Sequence, residues 1–451
     1  MRWRNAVATI GSAVFVALLA ARADAQQLGI AGQRFTIDGA PRFLTFISYF
    51  GSMGAQDVGA DLDFLKSAGF DGVRIWPNSP EGPQLMRGDG QLDGTNLARL
   101  LGILDAARAR RIVVDVSFTA EHIGGLSADL YRTAIVRAVE AMRPYPNILV
   151  DIENERNLYG PFGRPLAAAD VAAIAAAIEA ADPSRIVTAS NSQDLPAGDA
   201  ARFTIDTGLD VTAYHDPRPP SWFEADQIGA IVATLAANGK PVYLQEPTRF
   251  PNPSTDRAVY FQTALANARR AGAAAWCFHT DLGFNLRGTL FRDRLQSRVE
   301  PEWTFVSTLV PRVALRTSDG HYVTAVGGGG STVVADRTTP GSWETFAIRT
   351  LEGGAVLPGD RVAIWTADGV HLLQAAGGGG STVTAAGTSP GPWETFVVEK
   401  NGSEAIAAGD AIGLRTTGST PFYVTAERGG GSAVNVDRPA RGAWETFTLI
   451  R

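Results

Sequence analysis

Eight short apolar runs, separated by alanine-rich stretches of helical periodicity, constrain what this 451-residue chain can fold into more than any other feature. The runs are Arg42–Ser48, Gly72–Trp76, Ile112–Ser117, Ile148–Glu153, Ile186–Ser190, Asp210–Ala213, Val242–Gln245 and Ala273–Phe278. Between them Asp57–Gly69, Thr95–Arg110, Ala128–Met142, Ala168–Ala181, Glu224–Ala237 and Ser254–Ala271 carry apolar residues at helical spacing, each followed by Gly, Pro or a basic residue. Strands alternating with helices make a parallel sheet, and the spacing is close to the ~30 residues that one strand-helix-strand unit needs. Eight such strands close on themselves, so the expected fold is a (β/α)8 TIM barrel over residues 26–311. An open doubly wound sheet would bring a glycine-rich first turn with an acidic partner; Phe50-Gly51-Ser52-Met53-Gly54 only approximates one. Ahead of the first strand, Phe35–Pro41 reads as a hairpin turning at Asp38-Gly39, placed to plug the bottom of the barrel.

After Pro311 helical periodicity gives way to Val, Thr and Gly, and the chain repeats. Val313–Thr317, Val362–Thr366 and Ile412–Thr416 each open a unit of about 50 residues that closes on the same four letters, Trp343–Phe346, Trp393–Phe396 and Trp444–Phe447. Short β units that cannot bury a face alone must stack on a shared axis. Residues 312–451 resemble a β-trefoil of the fascin-like kind, which makes the second domain all-β. The glycine runs Gly327–Ser331, Gly377–Ser381 and Gly429–Ser432 keep register with the motif, so they read as turns rather than as a linker or phosphate cradle. The repeated tryptophans, at equivalent positions, are expected to face the shared core.

A net charge of −6 and a pI near 5.5 provide no basic stripe for nucleic acid. Five histidines and one cysteine show no metal-ligand spacing, leaving only an oxygen-ligand calcium site open, and no cofactor motif appears. Cys277 has no partner for an internal disulfide, so packing alone must hold the fold. Residues 1–25 read as a cleavable leader: Arg2 and Arg4, an apolar stretch Ala6–Ala21, then Ala23-Asp24-Ala25. A mature chain beginning at Gln26, secreted or periplasmic and free of the membrane, is expected; the competing anchor would need a longer apolar span.

Two glutamates stand where buried strands run out, Glu155 after the fourth and Glu246 after the seventh. On a closed parallel barrel both fall on the rim that carries active sites. Glycosidic cleavage needs two carboxylates across a pocket, one to protonate the leaving oxygen and one to attack or steady the sugar cation. Asn154-Glu155 with Glu246 resembles the clan-A glycoside hydrolases, most closely the family 5 cellulases and mannanases, over residues 33 to 310. The resemblance implies Glu155 as acid/base, Glu246 as nucleophile, Asn154 on the sugar 2-hydroxyl and Arg74 orienting the nucleophile. It further implies Tyr214, His215 and Trp276 as substrate-binding residues, Trp276 as a stacking platform. This chain departs from the family in Arg156 after the acid, Pro247 after the nucleophile and the order Tyr214-His215.

Carboxylates about 5 Å apart cannot easily both ionise, so Arg74 beside Glu246 would leave Glu155 as the acid, with retention of configuration. Glu153, two residues from Glu155 and on the same side of an ideal strand, is an alternative acid. The expected function is a secreted retaining hydrolase of β-linked poly- or oligosaccharides, with a trefoil that takes a carbohydrate or surface ligand. The rivals are a non-catalytic glycan-binding or adhesion protein and a transglycosylase on the same scaffold.

Overall fold

The computed structural model describes residues 26–79, 82–119, 123–158, 165–247 and 256–451; the leader expected at 1–25 lies outside them. Eight parallel strands, β1 Leu44–Ser48, β2 Gly72–Ile75, β3 Val113–Ser117, β4 Ile148–Asp151, β5 Ile186–Thr188, β6 Thr212–Tyr214, β7 Val242–Leu244 and β8 Ala275–Phe278, run in the order β5-β4-β3-β2-β1-β8-β7-β6. The ends of that order meet through a parallel bridge from Asn191 to Tyr214 and the bonds Asp210 N to Val187 O (3.0 Å) and His215 N to Asn191 O (2.9 Å). The sheet is thereby a (β/α)8 barrel.

Helices α1 Val58–Ala68, α2 Gly94–Ala109, α3 Ala128–Met142, α4 Ala168–Ala181, α5 Ala197–Asp206, α6 Ala225–Ala236 and α7 Ala258–Ala271 join the strands. Asp57, Asp93 and Ser127 cap the first three by accepting from backbone N–H groups of the first turn. Helix α5 has no counterpart in the sequence reading, because Pro196 and Gly198 at its start look like loop residues; buried Ala200 and Phe203 hold it down. The other six helices fall where the periodicity put them, and the strands are one or two residues shorter than their apolar runs or, for β6, shifted toward Tyr214.

The expected hairpin is there as part of a three-stranded ribbon, Leu28–Ala31, Arg34–Ile37 and Ala40–Pro41, turning at Asp38-Gly39 with both residues at positive φ. Its Leu28 and Phe35 are buried in one cluster with inward side chains of the barrel, among them Phe46, Val113, Leu149, Tyr243 and Cys277. This fills the bottom of the barrel with hydrocarbon and leaves polar chemistry to the upper layers.

From Arg312 the chain is all-β: twelve strands in three successive sets of four, at 312–350, 361–400 and 411–450. Equivalent residues of the sets, Phe346, Phe396 and Phe447 among them, meet in one buried core. This arrangement is compatible with the expected trefoil. The motif tryptophans overturn the expectation made for them, since Trp343, Trp393 and Trp444 are 42, 48 and 41 % exposed. The phenylalanine three positions on is the core residue; the tryptophan itself lies in the turn that leads into the strand, where its side chain faces outward.

The all-β unit is fastened to the lower end of the barrel. Phe43 N donates to Glu352 O (2.9 Å), Arg42 to Leu351 O (2.9 Å), and Arg269 makes a two-pronged ion pair with Asp360 at 2.6 Å. Ala355 and Leu357 are buried with the barrel's outer core.

Candidate active site

Residues that face the barrel axis follow the two-residue alternation of the strands. From hydrocarbon at Phe46, Val113 and Leu149 the series climbs to Arg74 on β2, Asp115 and Ser117 on β3, Asp151 on β4, and Gln245, His215 and His279 just past β7, β6 and β8. All are buried. Arg74 lies at the centre, donating from Nη1 to Glu246 Oε1 (2.7 Å), from Nη2 to Asn154 Oδ1 (2.7 Å) and Asp151 Oδ2 (3.2 Å), and from Nε to Ser117 Oγ (2.7 Å). Asp115 Oδ2 is 3.4 Å from Nε, and the guanidinium carbon lies 4.4 Å from the Trp76 ring centre. One permanent cation therefore serves three buried carboxylates. Asp115 is the one that yields: burial pushes it up to about 6, with Arg74 pulling down and Asp151 pushing up.

Burial alone would raise Glu246 as well, but His215, His279, Arg74 and Arg218 around it outweigh that and hold its carboxyl well below the usual range. His215 Nδ1 is 3.4 Å, His279 Nε2 3.5 Å and Arg218 Nη2 3.6 Å from Glu246 Oε2. Burial pushes His279 down to about 3, so its imidazole is neutral, while Arg74 and Arg218 supply permanent positive charge. Glu246 is thus held as a carboxylate, with the two arginines as its lasting partners.

Glu155 reaches the same place by a different local route. Strand β4 ends at Asp151, and Glu155 itself takes a left-handed backbone (φ 49°), with its N–H donating to Ser190 Oγ at 3.1 Å. Its carboxylate Oε1 lies 3.0 Å from His215 Nδ1, and one oxygen of each glutamate together with the His215 nitrogen lie within 4.8 Å of one another. Three such atoms are enough to ligate a metal ion, although Arg74 and Arg218 on Glu246 oppose a divalent cation electrostatically. The left-handed turn breaks the alternation that put Glu153 beside Glu155: Glu153 is buried and accepts from Tyr131 Oη of α3 at 2.5 Å.

Of the residues read from sequence, Glu155, Glu246, Arg74, Asn154 and His215 are brought together. Tyr214 and Trp276 are not. Both lie at outward positions of their strands, Tyr214 donating to Leu195 O (2.8 Å) and Trp276 packing against Phe278 and Phe305 beneath the helices. Alternation explains the correction: Ala275 and Cys277 take the inward positions of β8, so His279 emerges at the rim and Trp276 cannot. The aromatic wall beside the carboxylates is Trp76 stacked on Phe50 at 3.7 Å, with Phe50 on Phe284 at 4.0 Å. Arg156 lies over Phe203 at 3.5 Å and donates to Asn191 at 2.8 Å. Asp115, Asp151 and Gln245 were missed, although a polar residue at an inward position of an apolar run, the signal that picked Arg74, marks each. Arg218 in its loop carries no such signal.

No protein-family model matches the chain, and no curated protein matches it in sequence. Among solved structures it is similar to GH5_18 of Streptomyces cattleya, solved in complex with GlcNAc (19% identity, 53% of this chain and 70% of that one, TM-score 0.42). It is also similar to a β-mannanase of Thermomonospora fusca (14%, 56% and 84%, TM-score 0.42) and a β-1,4-D-mannanase of Cryptopygus antarcticus (13%, 62% and 94%, TM-score 0.45). Likenesses at this level leave the chemistry to be decided by the side chains of the rim.

Proposed function

We propose that the chain is a retaining glycoside hydrolase acting on β-linked glycans, exported by its N-terminal leader, with a C-terminal β-trefoil that binds glycan. The observation that carries this is the pair of carboxylates, with oxygens inside 4.8 Å and one of them ion-paired to a buried arginine. That spacing belongs with the roughly 5–5.5 Å of retaining enzymes rather than the 6.5–9.5 Å that leaves room for an attacking water.

Glu246, held as a carboxylate by Arg74, attacks the anomeric carbon while Glu155 protonates the departing oxygen. Asn154, its amide oxygen taken by Arg74, offers its –NH2 group to a sugar hydroxyl. When the glycosyl ester forms, the negative charge at Glu246 is gone, and Glu155, now ionised, takes a proton from the incoming water. His215, between the two carboxylates, holds their spacing through both steps. No cofactor enters.

The test is reducing-sugar release from β-mannan, β-glucan, xylan and β-galactan by the mature protein, with Glu246→Gln and Glu155→Ala alongside. Turnover on one polymer, abolished by both substitutions and releasing the β-anomer first by NMR, is the expected result. Turnover unchanged in either variant removes that residue from the mechanism.

A further inference from the structure

The Trp-Glu-Thr-Phe motif recurs three times, and three of its four letters have a structural explanation. Glu344, Glu394 and Glu445 each accept from the backbone N–H three residues earlier, at 2.7, 3.1 and 2.8 Å. Thr345, Thr395 and Thr446 donate to the carbonyl four residues earlier, at 2.8, 2.7 and 2.8 Å. The phenylalanines are fully buried. The tryptophan alone has no such role: a large apolar ring, more than two-fifths exposed in every copy, stacked on no other aromatic ring among the described residues.

Each indole lies with its pyrrole edge against a glycine of its own repeat. A Cβ on Gly328, Gly378 or Gly429 would come within 3.3–3.5 Å of that edge. The next glycine along carries the chain against the following repeat: a Cβ on Gly329 would strike Asp368 at 2.5 Å and His371 at 2.8 Å, one on Gly430 would strike Asp319 at 2.0 Å, and one on Gly379 would strike Phe422 at 2.7 Å. Each turn is therefore held between an exposed tryptophan and a loop of the next repeat. In two of the three copies that loop brings a partly exposed Asp–His pair, Asp319 with His321 (2.8 Å) and Asp368 with His371 (2.5 Å). With Nδ1 donating to the carboxylate, Nε2 remains as an acceptor facing the turn.

We propose that these are three glycan-binding sites, each an indole platform, a glycine turn and the Asp–His pair, with Phe422 in its place at the second site. This deepens the proposed glycan-acting function and rests on it. The occupant follows from the form of the surface. Each ring lies against a glycine turn, and at two of the three sites the facing loop brings a polar Asp–His pair, a mixed surface rather than the broad apolar patch that a protein partner covers. A flat ring with an acceptor beside it suits a sugar, whose C–H face is apolar and whose rim is hydroxyl. Threefold copying suits a polymer, on which linked weak sites gain avidity.

The test uses the full-length protein carrying Glu246→Gln, so that substrate is not consumed, in pull-down on insoluble β-mannan, cellulose and xylan. Retention on one of them is expected, and Trp343→Ala/Trp393→Ala/Trp444→Ala together should weaken it by roughly a hundredfold or more. Trp343→Ala and Trp444→Ala, whose turns face histidine, should each cost more than Trp393→Ala. The triple variant with active Glu246 should still cleave short soluble substrate at the parent rate, because no tryptophan replaced is near the rim. Unchanged retention of the triple variant, absence of retention by the parent, or loss traced to dissociation of a dimer by light scattering would each overturn the proposal. Tryptophan-dependent retention without any hydrolysis would overturn the catalytic reading and leave this one standing.

Discussion

Replacing Arg74 by methionine removes the one cation that serves Glu246, Asp151 and Asp115, and with it hydrogen bonds of 2.7 Å to Glu246, Asn154 and Ser117. Methionine fills much of the volume, so the loss is electrostatic rather than a cavity. Breaking a buried pair by deleting one partner costs about 3–5 kcal/mol, and with Asp115 and Asp151 left without their cation and Glu246 left with Arg218 alone at 3.6 Å the upper end applies at pH 8. The carboxyls answer by taking protons, which fixes the sign of the pH dependence. In the wild-type protein Glu246 lies below its ordinary value, so its contribution is present above that value and lost only in acid. In the variant the folded-state carboxyls rise above their unfolded values, so stability is greatest in acid and falls as pH rises. The penalty should therefore grow between pH 5 and 8 by up to about 1.4 kcal/mol per pH unit for each proton the folded variant retains. Urea unfolding at both pH values measures it, and kcat on an aryl β-glycoside should drop by roughly 10²–10³. Arg74→Met within about 1 kcal/mol of wild type at pH 8, with no added pH slope, would refute the account of this cluster.

Other substitutions separate the site from its scaffold. Trp276→Phe should cost about 1–3 kcal/mol in thermal or urea unfolding and leave KM and kcat nearly unchanged, because the ring is packed under the helices; a large rise in KM would restore it as a sugar platform. Asp216 is buried with neither carboxylate oxygen bonded, and burial pushes it up to about 8 against the pull of Arg218. Its raised value means stability that is full below pH 4 and lost as pH rises through 8, so Asp216→Asn should gain about 2–5 kcal/mol over wild type at pH 9 and little at pH 4. Asp360→Ala should uncouple the all-β unit from the barrel, lowering its unfolding midpoint by about 3 kcal/mol equivalent while rim activity persists; a single unshifted transition in calorimetry would contradict that.

Periodicity was enough to read the eight strands, six helices and the bottom plug, because each is a local pattern that buries one face. It was not enough at α5, where Pro196 and Gly198 conceal a ten-residue helix stabilised by tertiary packing. In the site the strand-end glutamates, Arg74 and His215 were legible as polar residues at strand ends or inside apolar runs. The errors at Tyr214 and Trp276 came from choosing residues by chemical type without carrying alternation through the strand, which would have selected His215 and His279. The error at Glu153 had the opposite cause: alternation was carried past the end of β4 into a turn where Glu155 adopts positive φ. At the repeats, identity of position does not imply burial: the exposed ring belongs to the turn and the buried Phe346 to the strand that follows it.

The all-β unit is clamped at Phe43, Arg42 and Arg269, at the foot of the barrel, while Glu155 and Glu246 open at its head. The polar rim and the joint with the all-β unit thus lie at opposite ends of the barrel. On the proposed reading, glycan taken up by the all-β unit is held by a body attached away from the carboxylates, so the strand held and the strand cut need not be the same one. Under that proposal, loss of the tryptophan sites lowers the amount of protein on solid polymer and leaves cleavage of short soluble substrate untouched.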